Sequence, residues 1–254
     1  MRFLFYFIVV SLSACGQSNF TEDNNEKIVR PNIKLDDYLN NNMNDSTPSI
    51  SFGHVSNGGL KHAKLMPYKG TNFSYFDEKS YLSGRAFTHH KVLNTVINGY
   101  KELEKNYPKR RFQLMECSNK HGGKMWPHRT HQNGLSVDFM IPKLKDGKPY
   151  YGLDSIGVGH YWLSFNNEGI YSKDSSISID FEKIAHHILI LKAEGKKQGL
   201  RISKVIIKVE FKDELFEGYF GQLLKNSGIY IVKSLTPTIN DLHDDHYHID
   251  FQEL

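Results

Sequence analysis

Two short stretches carry side chains that could share a metal ion: PHRTHQNGLSVDFMIP, residues 127–142, and LHDDHYHIDF, residues 242–251. From Gly134 onward, alternation puts Leu135, Val137 and Phe139 on one face of a strand and Ser136, Asp138 and Met140 on the other. His131 precedes Gly134, where the chain can turn and bring an imidazole back over the strand. In the second stretch the same period of two directs Tyr247, Ile249 and Phe251 to the core and projects His246, His248 and Asp250 from the opposite face. Taken alone, an Asp on a half-buried strand or a single His-x-His is ordinary. Their combination in one chain is what points to metal chemistry.

Zinc is satisfied by imidazole nitrogen and carboxylate oxygen, and a catalytic site uses three protein ligands so that water can take the fourth position. His131, Asp138 and one member of the His-x-His pair supply such a set. Two neutral imidazoles and one carboxylate leave a net positive site, enough to lower the pKa of bound water to about 7. The other histidine can then accept a proton or steady an oxyanion. No HExxH helix is present, so a glutamate base of the thermolysin type is not expected.

Strands and helices must bring these residues together. Four stretches read as strands: RRFQLMECS from Arg110, GLSVDFMI from Gly134, SKVIIKVEF from Ser203 and HYHIDF from His246. Residues 88–107 read as a helix, with Val92, Leu93, Val96, Ile97, Tyr100 and Leu103 on one face, Thr88 as its cap and Pro108 as its stop. A second helix runs from Phe181 to Lys197 behind Asp180. Helices on one face of a small, mainly antiparallel sheet make the expected fold class α+β.

The first residues, MRFLFYFIVVSLSACGQSNF, have the form of a secretory leader: Arg2, an apolar run from Phe3 to Leu12, then small residues. The run is too short to span a bilayer stably. Leu12-Ser13-Ala14-Cys15 resembles a lipobox, which predicts a signal peptide over 1–14 and a lipidated Cys15 as the membrane attachment. Cys117 is then the only free thiol, no intrachain disulfide can form, and burial is its expected state. Residues 15–48, rich in Asn, Asp and Ser, read as a flexible tether, and 49–254 as one folded domain. The formal net charge of +4 suits an anionic envelope polymer. No Lys/Arg block with interleaved aromatics is present, so nucleic acid is not an expected partner.

The pairing of His-x6-Asp with a late His-x-His resembles the peptidase group of lysostaphin-type enzymes, D-Ala-D-Ala metallopeptidases and hedgehog amino-terminal domains. Within it the chain is most similar to the penicillin-insensitive murein endopeptidases, through SISFGHVSNGGLKHAKLMPYKGTNFSYF from Ser49, GGKMWPHRTHQNGLSVDF from Gly122 and LHDDHYHIDF from Leu242. The resemblance implies zinc ligands at His131, Asp138 and His248. It implies a catalytic or transition-state-stabilising role for His246, a site-lining place for His243, and a further metal contact at His128. DFEKIAHHIL from Asp180 stands where the family carries an Arg-Asn-Trp cluster, and the family's several disulfides have no counterpart here.

The implied activity is hydrolysis of an amide in peptidoglycan cross-links, of the D-alanyl to diaminopimelate type, in the periplasm and with attachment to the outer membrane. One rival is a D-Ala-D-Ala carboxypeptidase, which would need Arg85 or Arg129 to hold a terminal carboxylate. Another is a non-catalytic, zinc-stabilised cell-wall-binding module. The insertion 143–176 is the expected seat of substrate specificity. Gly122-Gly123 read as a flexible loop into the site, Trp126 as a groove wall or simple packing, and His89-His90 and His186-His187 as residues outside it.

Overall fold

The computed structural model describes residues 34–254; the predicted leader and Cys15 lie outside them. In chain order the elements are α1 (Leu35–Asn41), β1 (Ile50–His54), β2 (Asn57–Lys61), β3 (Lys64–Leu65), β4 (Phe73–Tyr75), α2 (Glu78–Leu82), β5 (Phe87–Thr88) and α3 (His90–Asn106). There follow β6 (Phe112–Leu114), β7 (Ser136–Met140), β8 (Lys143–Lys145), β9 (Lys148–Tyr150), β10 (Ile177–Ile179) and α4 (Phe181–Lys197). The chain ends with β11 (Leu200–Ile206), α5 (Lys212–Glu217), α6 (Tyr219–Lys225), α7 (Pro237–Asp241) and β12 (His246–Glu253).

A five-stranded sheet in the order β11-β12-β7-β6-β4 forms the centre, antiparallel except for the β4–β6 pair. The fold class is thus α+β, as the alternating and helical patterns indicated. Phe139 and Tyr247 stack across the β7–β12 pair with ring centroids 5.4 Å apart, on the face that meets the two long helices. His187 of α4 bonds the Tyr247 hydroxyl at 2.5 Å, and Tyr100 of α3 packs on Phe73 and His187. Burying each such aromatic stabilises the fold by roughly 1.5–3 kcal/mol.

Helix α4 begins where its sequence predicts, because Asp180 accepts the Lys183 amide and its other oxygen holds buried Arg110 at 2.8 Å. Helix α3 departs by one position. Its cap is His89, whose Nδ1 accepts the Lys91 amide, while the Thr88 hydroxyl donates to the Gly134 carbonyl instead.

Two strands are also shifted. β11 starts at Leu200, and a bulge between Ile202 and Lys204 resets its alternation; Val209–Phe211, expected as its end, is a 3-10 turn. The strand from Arg110 is regular only to Leu114, after which it exchanges single bonds with β7, Met115 N to Asp138 O and Asp138 N to Glu116 O.

Residues 34–48, the described part of the segment expected as a tether, are docked on the domain. Helix α1 buries Tyr38 against Tyr81, and Asn44 pairs its amide with both backbone groups of Leu65. Half-buried Leu35 and Leu39 pack against the same core, and Asp45 pairs with Lys64, so this short segment is docked by a few apolar and polar contacts.

Candidate metal centre

The register of β7 against β12 sets Asp138 opposite His248, Met140 opposite His246 and Ser136 opposite Asp250. Since side chains alternate, all six share the sheet face turned away from Phe139 and Tyr247. His131 reaches this face from the preceding loop with φ 67°, a left-handed conformation uncommon for a residue with a side chain. The loop is pinned at both ends: Ser118 Oγ donates to the His131 carbonyl at 2.5 Å and accepts the Gly134 amide at 3.0 Å. Gly134 itself has φ 78°, and a Cβ there would lie 2.6 Å from Leu60 Cδ2, so the turn admits only glycine.

Gly122 and Gly123, expected as a flexible loop, form a close backbone crossing. Both have positive φ, Gly123 donates to the Gln132 carbonyl, and a Cβ on Gly122 would come within 2.3 Å of that same oxygen.

Four of the predicted residues converge. His131 Nε2 stands 3.0 Å from His248 Nδ1 and 3.2 Å from Asp138 Oδ2; His248 Nδ1 is 2.7 Å from Asp138 Oδ1; His128 Nδ1 is 3.6 Å from Asp138 Oδ2. Facing nitrogen and oxygen atoms of His128, His131 and Asp138 lie within 4.8 Å of one another. Asp138 Oδ2 is buried and meets no donor at hydrogen-bonding geometry.

Each imidazole spends its other nitrogen on the protein. His131 Nδ1 pairs with the Cys117 carbonyl, His248 Nε2 with Asp250 Oδ1 at 2.7 Å, and His128 Nε2 with Glu116 Oε2 at 2.5 Å. Such outer bonds fix ring orientation and leave the inward nitrogens with lone pairs for an ion. The donor set, imidazole nitrogen and carboxylate oxygen around one centre, fits zinc.

The outer acceptors are themselves held. Glu116 receives Arg85 through two nitrogens and the Ser80 hydroxyl, and Asp250 receives Ser136 Oγ and Lys204 Nζ. Burial works against the charge on Glu116, but His128 and Arg85 outweigh it and keep the carboxyl at about 2. Burial likewise opposes ionisation of Asp138, and His131 and His248 hold its pKa well below the ordinary carboxylate range.

His246 lies on the same strand face as His248, with Nδ1 2.6 Å from Asp245 Oδ1. His243 packs its ring 4.8 Å from that of His246 and is anchored through Nδ1 on the Ile239 carbonyl; burial first, then His246, pushes its pKa down to about 3. His89 and His187 are buried and His90 and His186 half-buried, bonded to groups away from this cluster. Cys117 is a buried free thiol whose burial pushes its pKa up, as its apolar surroundings predicted. Trp126 is 86% exposed, which excludes the packing alternative for it.

Glu116, Asp245 and His160 escaped the sequence reading. A carboxylate inside the apolar run RFQLMECS was the available sign for Glu116, and Asp245 lay within the His-Asp-Asp-His run itself. His160 sits in the insertion with no local pattern to mark it.

Fold and site together define an α+β protein with a buried histidine–aspartate cluster suited to a transition metal. The sequence model of the penicillin-insensitive murein endopeptidases matches residues 51–154 of the chain, which supports its likeness to that family. The matched stretch carries His128, His131 and Asp138; His246 and His248 lie beyond it and join the site through the β7–β12 register, and His243 packs on His246. No curated protein matches the chain.

Proposed function

We propose that this chain is a zinc-dependent endopeptidase that hydrolyses D-alanyl to diaminopimelate amide bonds in peptidoglycan cross-links. The observation that carries this reading is the convergence of three imidazoles, each tied outward by an acceptor, on the Asp138 carboxylate: His128 and His131 face Oδ2, which lacks a donor, and His248 faces Oδ1. His131, Asp138 and His248 would hold the ion, with His128 as an adjoining donor.

When bound, zinc supplies a Lewis acid that polarises the scissile carbonyl and acidifies water. The proton work falls to the protein. With Nδ1 given to Asp245, neutral His246 keeps a lone pair on Nε2, able to accept the proton of the attacking water and return it to the leaving amine. No side chain becomes acylated in this scheme, so β-lactams, which trap serine acyltransferases, are not expected to inhibit it.

The carboxypeptidase reading is weakened at Arg85, whose guanidinium is engaged by Glu116 and the Trp126 carbonyl. Arg129 remains exposed and keeps that alternative testable. Incubation of the zinc-loaded protein with cross-linked muropeptide dimers decides: conversion to monomers supports the endopeptidase, and loss of a terminal alanine alone overturns it. His246→Ala that keeps its zinc but loses hydrolysis argues against a purely binding module. The leader sequence supports export and attachment through a lipidated Cys15, with the domain in the periplasm at the outer membrane. Among the described residues no helix is long and apolar enough to cross a membrane. Labelled fatty acid recovered on the parent, and lost in Cys15→Ala, tests the anchor.

A further inference from the structure

The insertion between β7 and β10 contributes one side chain that neither the His-x6-Asp nor the His-x-His motif requires. Its 3-10 turn, Gly157–Trp162, carries His160, which has no exposed surface. His160 Nδ1 lies 2.8 Å from Asp245 Oδ2, and the other oxygen of Asp245 lies 2.6 Å from His246 Nδ1. Asp245 is 2% exposed, so the three residues form one buried chain that ends on the face holding His248. Tyr161, next along the turn, meets the His246 ring edge-on at 5.9 Å.

The chemistry of the chain is directional. An ionised carboxylate only accepts, so each imidazole must present an N–H to it. For His246 that places a proton on Nδ1, so that the neutral ring keeps its lone pair on Nε2. A buried carboxylate held on one oxygen can swing about its Cβ–Cγ bond; a second N–H on the other oxygen fixes its plane and satisfies its charge. His160 Nε2 has no partner of its own, so the bond to Asp245 is the single polar contact this buried ring makes.

We propose that His160 and Asp245 are positioning residues: His160 clamps the Asp245 carboxylate, and Asp245 holds His246 as the Nδ1–H tautomer with Nε2 turned free for proton transfer. The proposal rests on the peptidase reading above. It gives the insertion a part in setting the proton-transfer group, besides any part in specificity.

The test uses the full chain loaded with zinc and compares His160→Leu, His160→Asn and Asp245→Asn. Asparagine places its side-chain N–H near the position of histidine Nδ1, so His160→Asn restores the clamp that His160→Leu removes. Expected for His160→Leu is a kcat about tenfold lower or more, with KM within about twofold and zinc content intact, and substantial recovery in His160→Asn. Asp245→Asn can accept only through its amide oxygen and is expected to lose about a hundredfold or more in kcat. Parental kcat in His160→Leu and Asp245→Asn overturns the proposal, as does an equal loss in the leucine and asparagine variants at position 160.

Proton NMR provides a reading independent of turnover: beside the signals of His128 and His248 on their own carboxylates, a downfield imidazole N–H signal that is absent in His246→Ala. Lack of the His246 signal overturns the tautomer assignment. A parent that binds zinc, shows that signal and leaves muropeptides uncut defeats the peptidase reading instead.

Discussion

His248 faces Asp138 directly across the β7–β12 pair, with Nδ1 2.7 Å from Oδ1. This one register places the carboxylate and the imidazole on the same face while Phe139 and Tyr247 stack on the other. A slip of β12 by one residue would carry His248 into the apolar layer and Tyr247 out of it, away from Asp138 and Phe139, so the packing that stabilises the sheet also enforces the site.

His131→Ala, Asp138→Ala and His248→Ala are each expected to abolish stoichiometric zinc binding, since each removes a converging donor. His128→Ala is expected to keep the ion with an affinity lower by about 10–100-fold. Elemental analysis after dialysis, followed by chelator competition, checks both; a full equivalent of zinc in His131→Ala would contradict the assignment of ligands.

Asp250→Asn and Glu116→Gln preserve shape while weakening the acceptors that orient His248 and His128. Each should raise the zinc dissociation constant by about 10–100-fold without loss of fold. Unchanged affinity in both would mean that the inner ligands orient themselves.

Gly134→Ala forces a side chain into a left-handed turn against Leu60 and the His89 amide. A loss of about 1–3 kcal/mol in unfolding free energy is expected, together with weaker zinc binding because the same turn delivers His131. Parental denaturation and zinc affinity would show that the loop adapts.

His187 is buried against Tyr100 and Phe139, away from the metal face, and burial, then His186, pushes its pKa down to about 3. Between that value and the ordinary histidine pKa of roughly 6.5, the unfolded chain binds a proton that the folded chain refuses. Stability is therefore highest above this window and falls as pH drops through it. His187→Leu should be less stable at neutral pH by about 1–3 kcal/mol, because the Tyr247 hydroxyl loses its acceptor. It should also lose less between pH 6.5 and 4 than the parent; urea unfolding at several pH values measures both, and parallel curves would refute the assignment.

Much of this was already written along the chain. Period-two alternation identified the faces of β7 and β12, Asp180 marked the start of α4, and residue type and spacing nominated His131, Asp138 and the His246/His248 pair, because these signals are local and depend on the backbone's own geometry, while the family resemblance added His128. Tertiary structure alone decided the rest. Only strand pairing shows that His248 stands opposite Asp138, only the folded loop gives His131 its left-handed turn, and only packing ties Glu116 to His128 and His160 to Asp245. Those contacts join residues whose partners lie far away in sequence or in irregular loops, and whether a buried polar atom is satisfied depends on what the whole fold brings against it.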